Sequence, residues 1–157
     1  MKKDTKIKSV TFNNRKKQLE IMYTSDRKIS IHYRSLGIRK NLSDAWVDKE
    51  SRGRSIGLEL SDGTVDYMPY DQPFAIVKDP DFLLQSHIEA LIATIKLAIK
   101  KKGISKRYLA NQLNTSDNQI QRLLNPRILN KNLKQLYAIA GLLNLDLKID
   151  AEYRKVA

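Results

Sequence analysis

The chain has 157 residues, 29 Lys and Arg against 17 Asp and Glu, a net charge of +12 and an isoelectric point near 9.9. It contains no cysteine, which excludes disulfides, thiol nucleophiles and thiolate metal sites together. It has no unbroken run of about eighteen apolar residues, and the basic opening MKKDTKIKSV lacks a secretory apolar stretch. A cytoplasmic protein without a membrane span is expected.

A soluble chain this basic is drawn to polyanions, nucleic acid first. Residues 1–79 carry 16 basic and 11 acidic residues, a net +5, while residues 80–157 carry 13 and 6, a net +7. The excess is therefore relatively larger in the second half.

The first half alternates with period two. Leu19, Ile21 and Tyr23 share one strand face, and Ile29, Ile31 and Tyr33 share another, with Thr24-Ser25-Asp26-Arg27 as the loop between them. Asn13-Asn14 reads as a turn before Arg15. Between Leu36 and Arg54 stand one aromatic anchor, Trp46, and a charged run, DKESRGR, which reads as a solvated loop. Ile56, Leu58 and Leu60 alternate, Asp62-Gly63 makes a hairpin turn, and Val65 and Tyr67 alternate after it. About five strands in a small meander are expected. Tyr67, Tyr70 and Phe74 would close its core.

Pro69, Pro73 and Pro80 end this part, since proline interrupts ladders and helices alike. From Asp81 the period becomes helical, with Phe82, Leu83, Ile88, Leu91, Ile92, Ile95, Ala98 and Ile99 at spacings of three and four. Asp81 is the expected N-cap and Gly103 the stop, and Lys100, Lys101 and Lys102 complement the helix dipole. The segment SKRYLANQLNTSDNQIQRLL, Ser105 to Leu124, reads as two short helices joined by a turn. Leu109 with Leu113, and Ile120 with Leu123, supply one buried stripe each. Ala110 marks a close helix crossing. Asn114 suits a left-handed turn, and Ser105 and Ser116 stand at N-cap positions. A further helix runs from about Lys131 to Leu143, and Leu145, Leu147 and Ile149 alternate as a terminal strand. The expected fold class is α+β. A small antiparallel β-rich domain over residues 1–80 precedes a helical domain with a C-terminal strand over 81–157.

On LANQL followed by TSDNQIQRLLNP, the chain resembles the phage-repressor or XRE class of helix-turn-helix over roughly residues 86–150. With the following helix and strand it looks most like the DNA-binding half of HicB- and HigA-type antitoxins. Asn114 stands where that class often has Gly, Thr115 where an aliphatic residue is common, and Lys106 where Gln touches phosphate. In the first half, GLELSDGTVDYMPYDQPFAIVKDPDFL loosely resembles the DUF2442 domain.

The resemblance implies that Ser116 to Leu124 is a recognition helix. By position its base-contacting residues would be Ser116, Asn118, Gln119, Gln121 and Arg122. Gln and Asn pair with adenine and Arg with guanine. Asp117 would hold Arg122 or a backbone amide. Lys106, Arg107, Arg127, Lys131 and Lys134 flank the helices as phosphate contacts, which set register without reading sequence.

Catalytic and metal chemistry find little footing. His32 and His87 lack the local spacing of a zinc pair, and His32, out of phase with Ile31 and Tyr33, is expected on the exposed strand face. Asp62, Asp66, Asp79 and Asp81 suit turns and caps. The six glycines are scattered rather than gathered into a phosphate loop. Neither an enzyme nor a cofactor is expected. The expected function is sequence-specific binding of double-stranded DNA as a homodimer, repressing a promoter. The alternatives are an antitoxin whose first domain neutralises a toxin or binds another protein, an interaction adaptor that does not bind DNA, and an RNA-binding protein.

Overall fold

The structure, a computed structural model, describes residues 5–152. It is mixed α+β, with two three-stranded antiparallel sheets and five helices. Two compact units divide between Leu83 and Leu84, close to the boundary expected at Pro80.

In the first unit, β1 (Ile7–Asn13), β2 (Gln18–Tyr23) and β3 (Lys28–His32) form one sheet in that order. A 3-10 turn, Tyr33–Leu36, leads to the second sheet, β4 (Leu42–Val47), β5 (Ser55–Leu60) and β6 (Val65–Pro69). The short α1 (Gln72–Ile76) follows. Leu19, Ile21, Tyr23, Ile29, Ile31 and Tyr33 are all buried, as their alternation requires, while His32 is exposed. The β2–β3 loop closes by a hydrogen bond from the Tyr23 amide to the Arg27 carbonyl (2.9 Å), with Asp26 left-handed at φ 58°. Gly63, at φ 82°, turns β5 into β6.

Three expectations need correction here. Six strands form, not about five, and they make two sheets instead of one meander. β4 escapes a periodicity reading because Ser43 and Asp44 interrupt it and the pairing register shifts between Leu42 and Asp44. The face of β6 that meets the core carries Met68. Val65 and Tyr67 point to solvent, Tyr67 being 57% exposed, so only Tyr70 and Phe74 of the three named aromatics pack on the core.

One side chain stitches the sheets. The Asn14 amide donates to the Leu42 carbonyl (2.9 Å) and its Oδ1 accepts from the Leu42 amide (2.9 Å) and the Tyr33 hydroxyl (3.0 Å). It pairs with β4 as a strand backbone would.

The long helix α2 (Pro80–Lys102) is capped by Asp79, not Asp81: the Phe82 amide donates to Asp79 Oδ1 (2.9 Å). Asp79 is buried and also ion-pairs with Arg27, whose guanidinium lies 5.1 Å from the Phe74 ring centroid. Burial opposes ionisation of Asp79, but the hydrogen bonds from Arg27 and the Phe82 amide outweigh it and hold the carboxyl below its ordinary range. The expectation about membrane spans also changes. By length and composition α2 is long and apolar enough to cross a bilayer. Its Ile88, Ile92 and Ile95 are buried in the core of the second unit, while Leu84 and Leu97 are exposed.

In that unit α3 (Lys106–Gln112), α4 (Asp117–Leu123) and α5 (Leu133–Leu142) complete the helices. Leu109, Ala110, Ile120, Leu123, Leu124, Leu136, Ile139 and Leu143 share the core with the α2 isoleucines. The terminal strand is not formed. Residues 145–152 lack strand pairing, the Leu145 amide is taken by the Ala140 carbonyl (2.8 Å), and Ile149 is 74% exposed. Alternation specifies a face, but a strand also needs a neighbouring edge.

Asp79 makes two separable contributions. Asp79→Asn keeps a good cap and loses the ion pair, whereas Asp79→Ala loses both, so the alanine variant should be about 1 kcal/mol less stable than the asparagine one in urea denaturation. Because the folded carboxyl titrates low, the pair's stabilisation is present above the unfolded value of about 4 and fades as pH falls further. The acid-side loss of stability should be shallower in Asp79→Asn than in the native protein.

Candidate nucleic-acid interface

Seven-residue helices have few internal hydrogen bonds, so α3 and α4 depend on their ends. The Ser105 hydroxyl accepts from the Tyr108 amide (3.0 Å) and the Ser116 hydroxyl from the Gln119 amide (3.2 Å). Both caps fall where the sequence places them. Between the helices Asn114 is left-handed at φ 49°. The Asn114 amide donates to the Asn111 carbonyl (3.2 Å) and the Thr115 amide to the Ala110 carbonyl (2.9 Å), a Schellman closure. The turn that follows from these bonds puts α4 directly against α3, with Ala110 buried.

The end of α4 is built differently. α1, α2, α3 and α5 each stop at a left-handed residue: Lys78, Gly103, Asn114 and Asn144. After α4 comes Asn125-Pro126, and Asn125 is not left-handed. Lys131 adds a charged donor to those of the Asn125 and Ile128 amides, its Nζ lying 3.1 Å from the Arg122 carbonyl and 2.6 Å from the Asn125 carbonyl. Burial, aided by the charge of Lys96, lowers the ammonium's pKa. Lys131 is thus half-buried and occupied as a helix cap, a different post from the free phosphate contact expected of it.

Asn118, Gln121 and Arg122 lie at helical spacings of three and four, so they share one face of α4, and all three are exposed. Gln119 is half-buried at the margin of that face. Ser116 is exposed, with its hydroxyl oxygen engaged as the cap. No ion pair joins Asp117 to Arg122 among the described residues. Asp117 stands in the first turn, where a negative charge suits the helix dipole.

Lys106 and Gln121 are brought together, with Lys96, Ile99, Leu124, Asn125 and Pro126, around a groove of about 370 Å³. Lys96 belongs to no motif in the chain. Its one signal is its place on α2 three residues before Ile99, on the flank of the apolar stripe. Arg107, Arg127 and Lys134 are exposed and stand outside the groove lining. The Arg127 amide is held by Asn125 Oδ1 (3.0 Å), which sets the turn after α4. The arrangement offers a row of amide and guanidinium groups on one helix face, with lysines beside it. Such a surface can donate to and accept from base edges while cations meet phosphates.

No protein-family model, no curated protein and no solved structure matches the chain.

The cap role of Lys131 has a direct consequence. Lys131→Met should cost about 1–3 kcal/mol, since it removes two hydrogen bonds from a charged, half-buried donor and leaves each carbonyl with its backbone amide alone. Lys134→Met, on an exposed lysine, should change stability by less than about 0.5 kcal/mol. Chemical denaturation of the two variants decides between cap and surface charge.

Proposed function

We propose that this protein binds double-stranded DNA in a sequence-dependent way through α4, in the manner of the XRE-type helix-turn-helix that its Ser105–Leu124 segment resembles. The observation carrying this reading is the combination of a rigidly closed α3–turn–α4 unit with the exposed row Asn118, Gln121 and Arg122. A reader of base edges needs fixed backbone and free side chains, and both are present in one element. On this reading α4 enters the major groove. Lys106 and Lys96 meet the backbone from the adjoining groove, with Arg107, Arg127 and Lys134 as further phosphate contacts. The β-rich first unit is then a separate module preceding a helical DNA-binding domain.

One helix of this length reads only a few base pairs. A homodimer on an inverted repeat, with half-sites about 34–36 Å apart, would supply the rest of the affinity and specificity. Binding across a promoter by such a dimer represses transcription in the cytoplasm, where no membrane segment or cofactor is called upon.

Selection of bound fragments from random duplex DNA, at two salt concentrations, tests the proposal. The native protein should enrich an inverted repeat. Arg122→Ala should relax the preference at one position per half-site by about 1–3 kcal/mol. Lys106→Ala should weaken all sequences alike and lower the salt slope by about one. Enrichment of no motif by the native protein would overturn the reading, and preference for single strands or loops would assign it to RNA.

A further inference from the structure

The outer face of the second sheet has a composition opposite to the rest of the chain. Strand pairing sets its three rows. Asp44 lies beside Glu59 and Val65, Trp46 beside Gly57 and Tyr67, and Asp48, next to the end of β4, meets Ser55 through its amide and carboxylate. The alternate residues Ala45, Val47, Ile56, Leu58 and Met68 fill the core, so the outer set is solvent-facing.

The centre of this face is aromatic. Trp46 and Tyr67 stand edge to face with ring centroids 6.3 Å apart, on either side of Gly57. A Cβ at position 57 would fall inside the Trp46 indole, so glycine there is what lets the ring lie across β5. Tyr67 is 57% exposed and Val65 46%. A shallow hollow of about 580 Å³, lined by Trp46, Val47, Asp48, Lys49, Glu50 and Tyr67, opens beside the rings. An exposed apolar patch that the fold holds in place is a contact surface by default.

Charge selects the occupant. In a chain of net charge +12, the strand sequences LSDAWV, SIGLEL and VDYMP contain no lysine or arginine. Asp44, Glu59, Asp48 and Glu50 border the aromatic pair, and Lys49 is the one cation lining the hollow. Hydrogen bonds from Ser55 and Ser51 keep the Asp48 carboxyl below its ordinary range, so it stays ionised. Carboxylates around a π face repel phosphate and attract cations. Guanidinium suits both at once, because it stacks on indole and accepts carboxylate partners in its plane.

We propose that the Trp46–Gly57–Tyr67 face of the second sheet is a docking surface for an arginine-bearing segment of a protein partner. It binds by stacking guanidinium on Trp46 and pairing it with Asp44 and Glu59. This site is independent of the proposed DNA contacts on α4.

Trp46 is the only tryptophan in the chain, so its fluorescence reports on this face alone. The full-length protein is titrated with a synthetic alternating Arg-Gly peptide, its Lys-Gly and Glu-Gly counterparts, and a 20-base-pair duplex of about the length two half-sites need. The Arg-Gly peptide should change Trp46 emission saturably, bind more tightly than Lys-Gly, and weaken as salt rises. Glu-Gly and duplex DNA should leave the emission unchanged. The near-isosteric, surface-located double variant Asp44→Asn/Glu59→Gln should lose at least tenfold in Arg-Gly affinity while retaining the native thermal midpoint. A non-saturating Arg-Gly response, or equal affinity in the double variant, would overturn the proposal. A saturable Trp46 response to duplex DNA would overturn it too, by giving the face to nucleic acid.

Discussion

Short helices are governed by their ends, and three of the four helices of the second unit, α3, α4 and α5, are short. An isolated turn of helix leaves its first amides and last carbonyls without partners. In α3 and α4, each seven residues long, those groups make up most of the backbone. The caps at Ser105, Ser116 and Asn132, and the left-handed stops at Gly103, Asn114 and Asn144, satisfy them at nearly every junction. Packing of Leu109, Ile120, Leu123 and Leu136 then has rigid pieces to join. Without the caps the same leucines and isoleucines would cluster around frayed segments, and no helix face would be held in one orientation.

The exception at α4 ties stability to the proposed function. A left-handed stop after α4 would continue the chain in another direction, and Pro126 disfavours helical backbone at Asn125. Lys131 instead reaches back from beyond the turn to hold the Arg122 and Asn125 carbonyls. The residue whose guanidinium is proposed to read a base thus has its backbone carbonyl fastened by a lysine nine positions later. Desolvation of that lysine is tolerated because two carbonyls receive its protons.

The first unit solves a different problem, the joining of two small sheets with modest apolar content. Asn14 does so by presenting its amide to β4 as a backbone would. Arg27 and Asp79 tie the first sheet to the entry of α2, where one carboxylate caps a helix and neutralises a guanidinium held over Phe74. The outer face of the second sheet carries Trp46, Tyr67 and carboxylates that have no ion pair among the described residues.

The sequence by itself determined the elements whose signals are local. Serine caps, the asparagine turn and the three-and-four spacing around Ala110 identified α3 and α4, because each such signal acts within one or two helical turns. The alternation of Leu19, Ile21 and Tyr23 identified β2 for the same reason. Tertiary structure alone decided the features that depend on a partner far along the chain. β4 exists because β5 offers an edge across a bulge, and the Leu145–Ile149 segment, with equal alternation, finds none. Tyr67 faces out because β6 turns Met68 to the core, and it meets Trp46 because Gly57 on the strand between them carries no Cβ. Lys131 became a cap and Asp79 a paired one because the carbonyls and guanidinium they meet arrive only on folding. Periodicity encodes which face is apolar; only the assembled chain encodes what that face, or a charge beside it, will touch.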